Sequence, residues 1–150
     1  MKKAIIITTI FILSLSFSIS AQVTDADKAA IKQTALNYAE GWYEGNADKM
    51  ESSLHPNLAK RRAVTNEKGQ SRLDELSALG LVQGTRTGFG KQTPKEQQQK
   101  DVTILDITGN AAIVKLEMRD WVDYMHIAKF NGKWVIVNVL WELKPKKADK

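Results

Sequence analysis

The spacing of apolar positions changes character near the middle of the chain, and that change organises everything else. From Thr24 to Glu44, Ala35, Tyr38, Ala39 and Trp42 follow Ile31 by four, seven, eight and eleven residues. That spacing is one stripe of a helix, and it predicts a buried face. Thr24 or Asp25 can cap its start. Gly45-Asn46 interrupts the pattern, and a second, shorter helix is predicted from about Ala47 to Leu54, ended by the proline of His55-Pro56. Leu58 to Thr65 reads as a strand with a basic centre, Lys60-Arg61-Arg62, and a third helix is predicted from Ser71 to Leu81, closed by glycines. Gly84 to Lys100 replaces any apolar period with Gly, Thr, Pro and Gln, so a long exposed loop is expected. A lid, a binding edge and a plain connection are all open for it.

Beyond Lys100 the period becomes two. Asp101–Thr108 and Ala111–Asp120 flank Gly109-Asn110, and Trp121–Phe130 and Lys133–Leu143 flank Asn131-Gly132, which predicts two hairpins with two-residue turns. In the first, Leu105, Ile107, Ala112, Val114, Leu116 and Met118 share a dry face, and Asp106, Lys115, Glu117 and Arg119 a wet one. Counting outward from the second turn, Lys129 faces Trp134, Ile127 faces Ile136, Met125 faces Asn138 and Asp123 faces Leu140. One face of this ribbon then carries Asp123, Met125, Ile127, Trp134, Ile136, Asn138 and Leu140; the other carries Val122, Tyr124, His126, Ala128, Phe130, Val135, Val137, Val139 and Trp141. A sheet with one wet side has faces of contrasting polarity. Here both are largely apolar, so both are expected to be covered, one by the helices and the other by a second subunit or more of the helical layer. Helices followed by a run of antiparallel strands give an α+β class.

Composition narrows the setting. At 150 residues and 43% hydrophobic content the chain suits one domain with one core. Lys2 and Lys3 precede an uncharged stretch, Ala4 to Ser20, that ends in small residues, the pattern of a secretory signal peptide. A spanning helix competes, since the stretch approaches the ~20 residues a bilayer requires. The serines near Ala21 favour cleavage, so residues 1–21 are read as a signal peptide, 22–145 as the domain and 146–150 as a basic tail, with cleavage after Ser20 or Ala21. The expectation is an exported protein, periplasmic or secreted, without a stable membrane anchor once processed. Loss of the two lysines leaves 20 basic and 17 acidic residues, about +3 instead of +5, a mild charge that does not ask for nucleic acid. Absence of Cys excludes disulfides, a thiol nucleophile and thiolate metal sites.

The run Tyr38-Ala39-Glu40-Gly41-Trp42-Tyr43-Glu44-Gly45, the step Leu54-His55-Pro56 and the C-terminal DYMHIAKFNGKWVIVNVLW together resemble the "putative lumazine-binding" group of the nuclear transport factor 2-like superfamily, over about residues 25 to 145. The resemblance implies a cone in which three N-terminal helices pack on a strongly bent antiparallel sheet, as in ketosteroid isomerases and SnoaL-like proteins. It also implies a pocket at the open end and homodimers formed through the sheet. Chemistry does not follow from such a fold.

Candidate residues come from placement. Asp123, among apolar neighbours and diagonal to Asn138, is either a proton carrier or a carboxylate that pins the hairpin. His55 is either a second proton carrier or a cap on free helix carbonyls. Arg61, alternating with Ala59 and Ala63, either points inward to clamp an anion or lines a solvated edge. Tyr38 and Trp42 either offer flat walls to a ligand or are ordinary core. Tyr124, His126 and Trp141 line a dimer interface, or the pocket if that face looks inward. Two histidines do not make a metal site, and no cofactor is implied. Nucleotide-binding loops, serine nucleophile elbows and basic–aromatic stripes are missing. The leading expectation is an exported binder of a small apolar or aromatic ligand. The alternatives are an isomerase or dehydratase with an Asp or His base, and a domain that docks a protein partner.

Overall fold

The computed structural model describes residues 23–145; the signal peptide and basic tail expected from the sequence lie outside the described residues. Helix α1 (Asp25–Glu44) begins at a reciprocal cap in which Thr24 Oγ1 accepts the Asp27 N–H while the Asp27 carboxylate accepts that of Thr24, each at 3.1 Å. It ends at Gly45, whose φ of 63° is the left-handed conformation a helix terminus favours. Asn46 caps α2 (Ala47–Ser53). Next come β1 (Leu54–Thr65), β2 (Ser71–Ser77), α3 (Ala78–Arg86), two short 3₁₀ turns (Phe89–Gln92 and Lys95–Gln97), β3 (Lys100–Thr108), β4 (Ala111–Met118), β5 (Trp121–Phe130) and β6 (Lys133–Leu143).

The six strands form one sheet in the order β2-β1-β6-β5-β4-β3. The helices cover one face, and the core lies between. Ile31, Ala35, Tyr38, Ala39 and Met50 of α1 and α2 meet Val114, Leu116, Met118, Met125, Ile127, Ile136 and Val139 of the strands, all buried. The α1 stripe read from the sequence is the face that packs. Among the described residues no helix is long and apolar enough to cross a membrane.

Three expectations change. Ser71–Ser77 is a strand, and the third helix starts only at Ala78. Leu73 and Leu76, three apart, mimic a helical step. The preceding turn decides otherwise, with Asn66 Oδ1 accepting the N–H groups of Lys68 and Gln70 and Gly69 at φ 77°, so Thr65 and Ser71 pair and β2 extends the sheet. The helices are consequently not all N-terminal, because a hairpin separates α3 from the first two. The sheet is also mixed instead of wholly antiparallel, since β1 runs parallel to β6. Finally, Gly84–Lys100 holds the end of α3 and the two 3₁₀ turns, and Gly90 is buried against α1, where a Cβ would collide with the Trp42 carbonyl oxygen.

Both hairpins form where the alternation predicts, and both contain a one-residue bulge. Between Ile104 and Asp106 the β3–β4 register shifts, which leaves Leu105 exposed instead of on the dry face. The second bulge lies in β6 at Val137 and reshapes the site.

Candidate functional site

Near its turn the β5–β6 ribbon has the register counted from the sequence, with Lys129 opposite Trp134 and Ile127 opposite Ile136. Then Val137 bulges, and His126 faces Asn138, Tyr124 faces Leu140 and Asp123 faces Trp141. A slip of one residue moves every later side chain to the other face. Trp141 therefore joins Asp123 under the helices, and Asn138 joins Tyr124 and His126 outside. The trio Tyr124, His126 and Trp141 is split, as is the pair Asp123 and Asn138.

On the inner side these strands build an aromatic pocket of about 160 Å³ lined by Tyr38 and Trp42 of α1, Lys60 of β1, Leu76 of β2, Leu81 of α3, Trp121 of β5 and Trp141 of β6. Trp121 stands edge-on to Trp42 (ring centroids 5.8 Å apart) and to Trp141 (6.4 Å), and Phe89 extends the series from Trp42 at 6.3 Å. The α1 stripe supplies one wall, and the period-two alternation of β5 and β6 supplies the opposite one.

The floor is polar. Lys60 Nζ donates to Asp123 Oδ1 and to the Tyr38 hydroxyl at 2.7 Å, and Trp121 Nε1 donates to Asp123 Oδ2 at 2.9 Å. Asp123 is 0% exposed and Lys60 4%. The Lys60 ammonium also faces three rings, with Nζ 4.8 Å from the Trp141 centroid, 5.3 Å from Tyr38 and 5.9 Å from Trp121. Loss of hydration pulls the Lys60 pKa down, opposed by the negative charge of Asp123 beside it. Burial pushes the Tyr38 hydroxyl well up, and the charge of Asp123 adds to this. Arg62, two residues on from Lys60, lays its guanidinium 4.4 Å from the Trp141 ring centroid.

The other sequence candidates lie elsewhere. Arg61 points away from the pocket, pairs with Glu75 at 2.7 Å and donates to Asn138 at 3.3 Å. Lys60 and Arg62 take the inner positions of β1 instead. The small neighbours Ala59 and Ala63 suggested the wrong face; buried Leu58, which shares the face of Lys60, was the usable signal. His55 is a residue of β1, where its Nδ1 accepts the Asn57 N–H at 3.1 Å and its ring rests 4.7 Å from that of Phe130. It neither caps α2 nor approaches Asp123. His126 and Tyr124 are exposed on the outer face, with His126 Nδ1 3.4 Å from Asn138 Nδ2. Among the described residues no cluster of His, Asp or Glu can hold a metal ion.

The family model for putative lumazine-binding proteins matches residues 26–142. The chain belongs to this family. Its members' nuclear transport factor 2-like architecture recurs in solved structures that resemble this protein. One is a nuclear transport factor 2-like protein of unknown function from Shewanella baltica OS155, with TM-score 0.63 and 19% identity over 83% of this chain and 100% of that one. Another, from Methylobacillus flagellatus KT, has TM-score 0.61 and 20% identity over 83% and 97%. At such identities the likeness concerns fold alone. Among characterised sequences, aldolase FrzH of Cladobotryum sp is 26% identical over 132 residues, 83% of this lumazine-binding-family chain and 97% of the aldolase.

Proposed function

We propose that this protein is an exported binder of a small, flat, mostly apolar ligand, held between Trp42, Trp121 and Trp141 with a hydrogen-bond acceptor directed at Lys60. The observation that carries the reading is the composition of the pocket: aromatic and aliphatic walls on several elements converging on one buried, charged cluster. Ligand sites have this make-up, apolar enclosure supplying affinity and a few convergent polar groups supplying orientation. Export rests on the Lys2-Lys3 pair and the uncharged segment after it.

Intrinsic fluorescence tests the binding reading, because three of the four tryptophans line the pocket. A flat aromatic solute should quench emission saturably in the wild type and far less in Trp121→Leu. Unsaturable, variant-independent quenching would remove the reading.

A second reading, an enzyme, is favoured by the pairing of Asp123 with Lys60 and by the similarity to an aldolase. Asp123 has both oxygens engaged, by Lys60 and by Trp121, so it is oriented before any substrate arrives. Under this reading Asp123→Asn, assayed at a temperature where circular dichroism shows it folded, has no turnover, and wild-type turnover there contradicts it.

The protein is further proposed to form a homodimer through the outer face of the sheet. Ile113, Tyr124 and Leu140 lie on adjacent strands there and are 40%, 45% and 54% exposed, with Tyr124 directly opposite Leu140. Light scattering on wild type and Leu140→Glu decides it: a dimer that becomes monomeric is expected, and a wild-type monomer contradicts it.

A further inference from the structure

The Lys60–Asp123 pair is hard to explain as a stability device. Both groups are out of water, and a buried ion pair commonly contributes no more than the apolar side chains that would fill the same space. It also stands where a cavity opens. Lys60 is one of the residues that line the pocket, and its Nζ lies just behind that lining, with rings on several sides, a carboxylate on one N–H and a phenol on another. An amine stripped of water, next to a group able to accept and return its proton, is the arrangement in which lysine becomes a nucleophile toward carbonyl carbon. Burial acts in the same direction, because it favours the neutral amine.

We propose that Lys60 is the amine of a covalent carbonyl site, condensing with a flat, largely apolar aldehyde or ketone to give a protonated imine and one water. The inference rests on the ligand-pocket reading above and adds the substrate class and the bond. The Lys60 ammonium passes a proton to Asp123, and the freed Nζ lone pair attacks the carbonyl carbon while the C=O π electrons move to oxygen. Asp123 delivers its proton to that oxygen, removes one from nitrogen, and returns it to the hydroxyl, which departs as water as the C=N bond forms. Net, the ammonium and the carbonyl become an iminium ion and water, Asp123 ends as it began, and nothing is oxidised or reduced. Tyr38, whose hydroxyl is 2.7 Å from Nζ, holds the amine in place, and burial keeps that hydroxyl protonated. The iminium inherits the place of the ammonium among the Trp141, Tyr38 and Trp121 rings, which favour a cation in either state.

Reductive trapping tests this. The protein is incubated near neutral pH with benzaldehyde and sodium cyanoborohydride, digested, and mapped for benzylated lysines by mass spectrometry. Lys60 is expected to be the dominant labelled lysine, ahead of every surface lysine. Excess benzyl alcohol, which fits the same walls and forms no imine, should suppress the Lys60 label and spare the rest. In Lys60→Arg, which keeps a cation beside Asp123, the dominant label should disappear. The wild-type peptide map is decisive even if that variant folds poorly. If benzyl alcohol quenches the pocket tryptophans saturably while Lys60 stays unlabelled, the covalent proposal falls and the pocket reading stands. If Lys60 is unlabelled and quenching is absent, both fall.

Discussion

Lys60 and Asp123 depend on each other, and single substitutions should reveal it. Lys60→Met leaves a carboxylate at 0% exposure with its cation gone, a change that costs about 3–5 kcal/mol where a buried pair is broken. Replacing both, as Lys60→Met with Asp123→Leu, should recover most of the loss, and urea denaturation of the two variants with the wild type checks this. Equal destabilisation by the single and double changes would mean the pair is not the coupled unit described. Gly90 is a second sensitive residue. A methyl group there would collide with the Trp42 carbonyl oxygen and sit 2.7 Å from Trp42 Cδ1. Gly90→Ala should cost about 1–3 kcal/mol, as overpacking does, and should shift Trp42 emission, since the wall of the pocket must move to make room.

Individual elements show what the sequence could and could not reveal. The stripe Ile31, Ala35, Tyr38, Ala39, Trp42 marks α1 and its inner face, and the alternation around Asn131-Gly132 marks the β5–β6 hairpin together with its register near the turn. The bulge at Val137 carries no comparable signal, because Val-Ile-Val-Asn-Val reads as an unbroken strand. Yet that one extra residue exchanges Asn138 for Trp141 beside Asp123. Lys60 escaped for a related reason: a charged side chain in a strand looks solvent-facing until its partner, 63 residues on, is known to stand opposite. At the N-terminus of α1, Asp27 binds Lys129 at 2.7 Å and Trp134 at 3.0 Å besides capping the helix, and the Lys129 bond leads in holding its carboxyl below the usual range. A depressed carboxylate contributes stability that is complete above the ordinary value of 3.8 and is lost as pH falls below it toward the folded-state value. Thermal melts should therefore lose stability below about pH 4, and Asp27→Asn should flatten that acid limb; an unchanged limb would show that α1 is not tied to the hairpin through this carboxylate.

For the whole molecule, the sheet serves two directions at once. Its inner face meets the helices and leaves the aromatic pocket at the end where Trp42, Trp121 and Trp141 gather, and its outer face presents Ile113, Tyr124 and Leu140. The expectation that neither side of the last ribbon belongs to solvent thus divides: the lone chain covers the inner side, and the outer side is left to the proposed second copy. Ligand binding belongs to the inner side. Its most direct test is a crystallographic soak with a panel of flat aromatic carbonyl and hydroxyl compounds. Density wedged among Trp42, Trp121 and Trp141, with a polar atom at Lys60 Nζ, is the predicted result. A panel that leaves this space empty while binding elsewhere on the protein would contradict it.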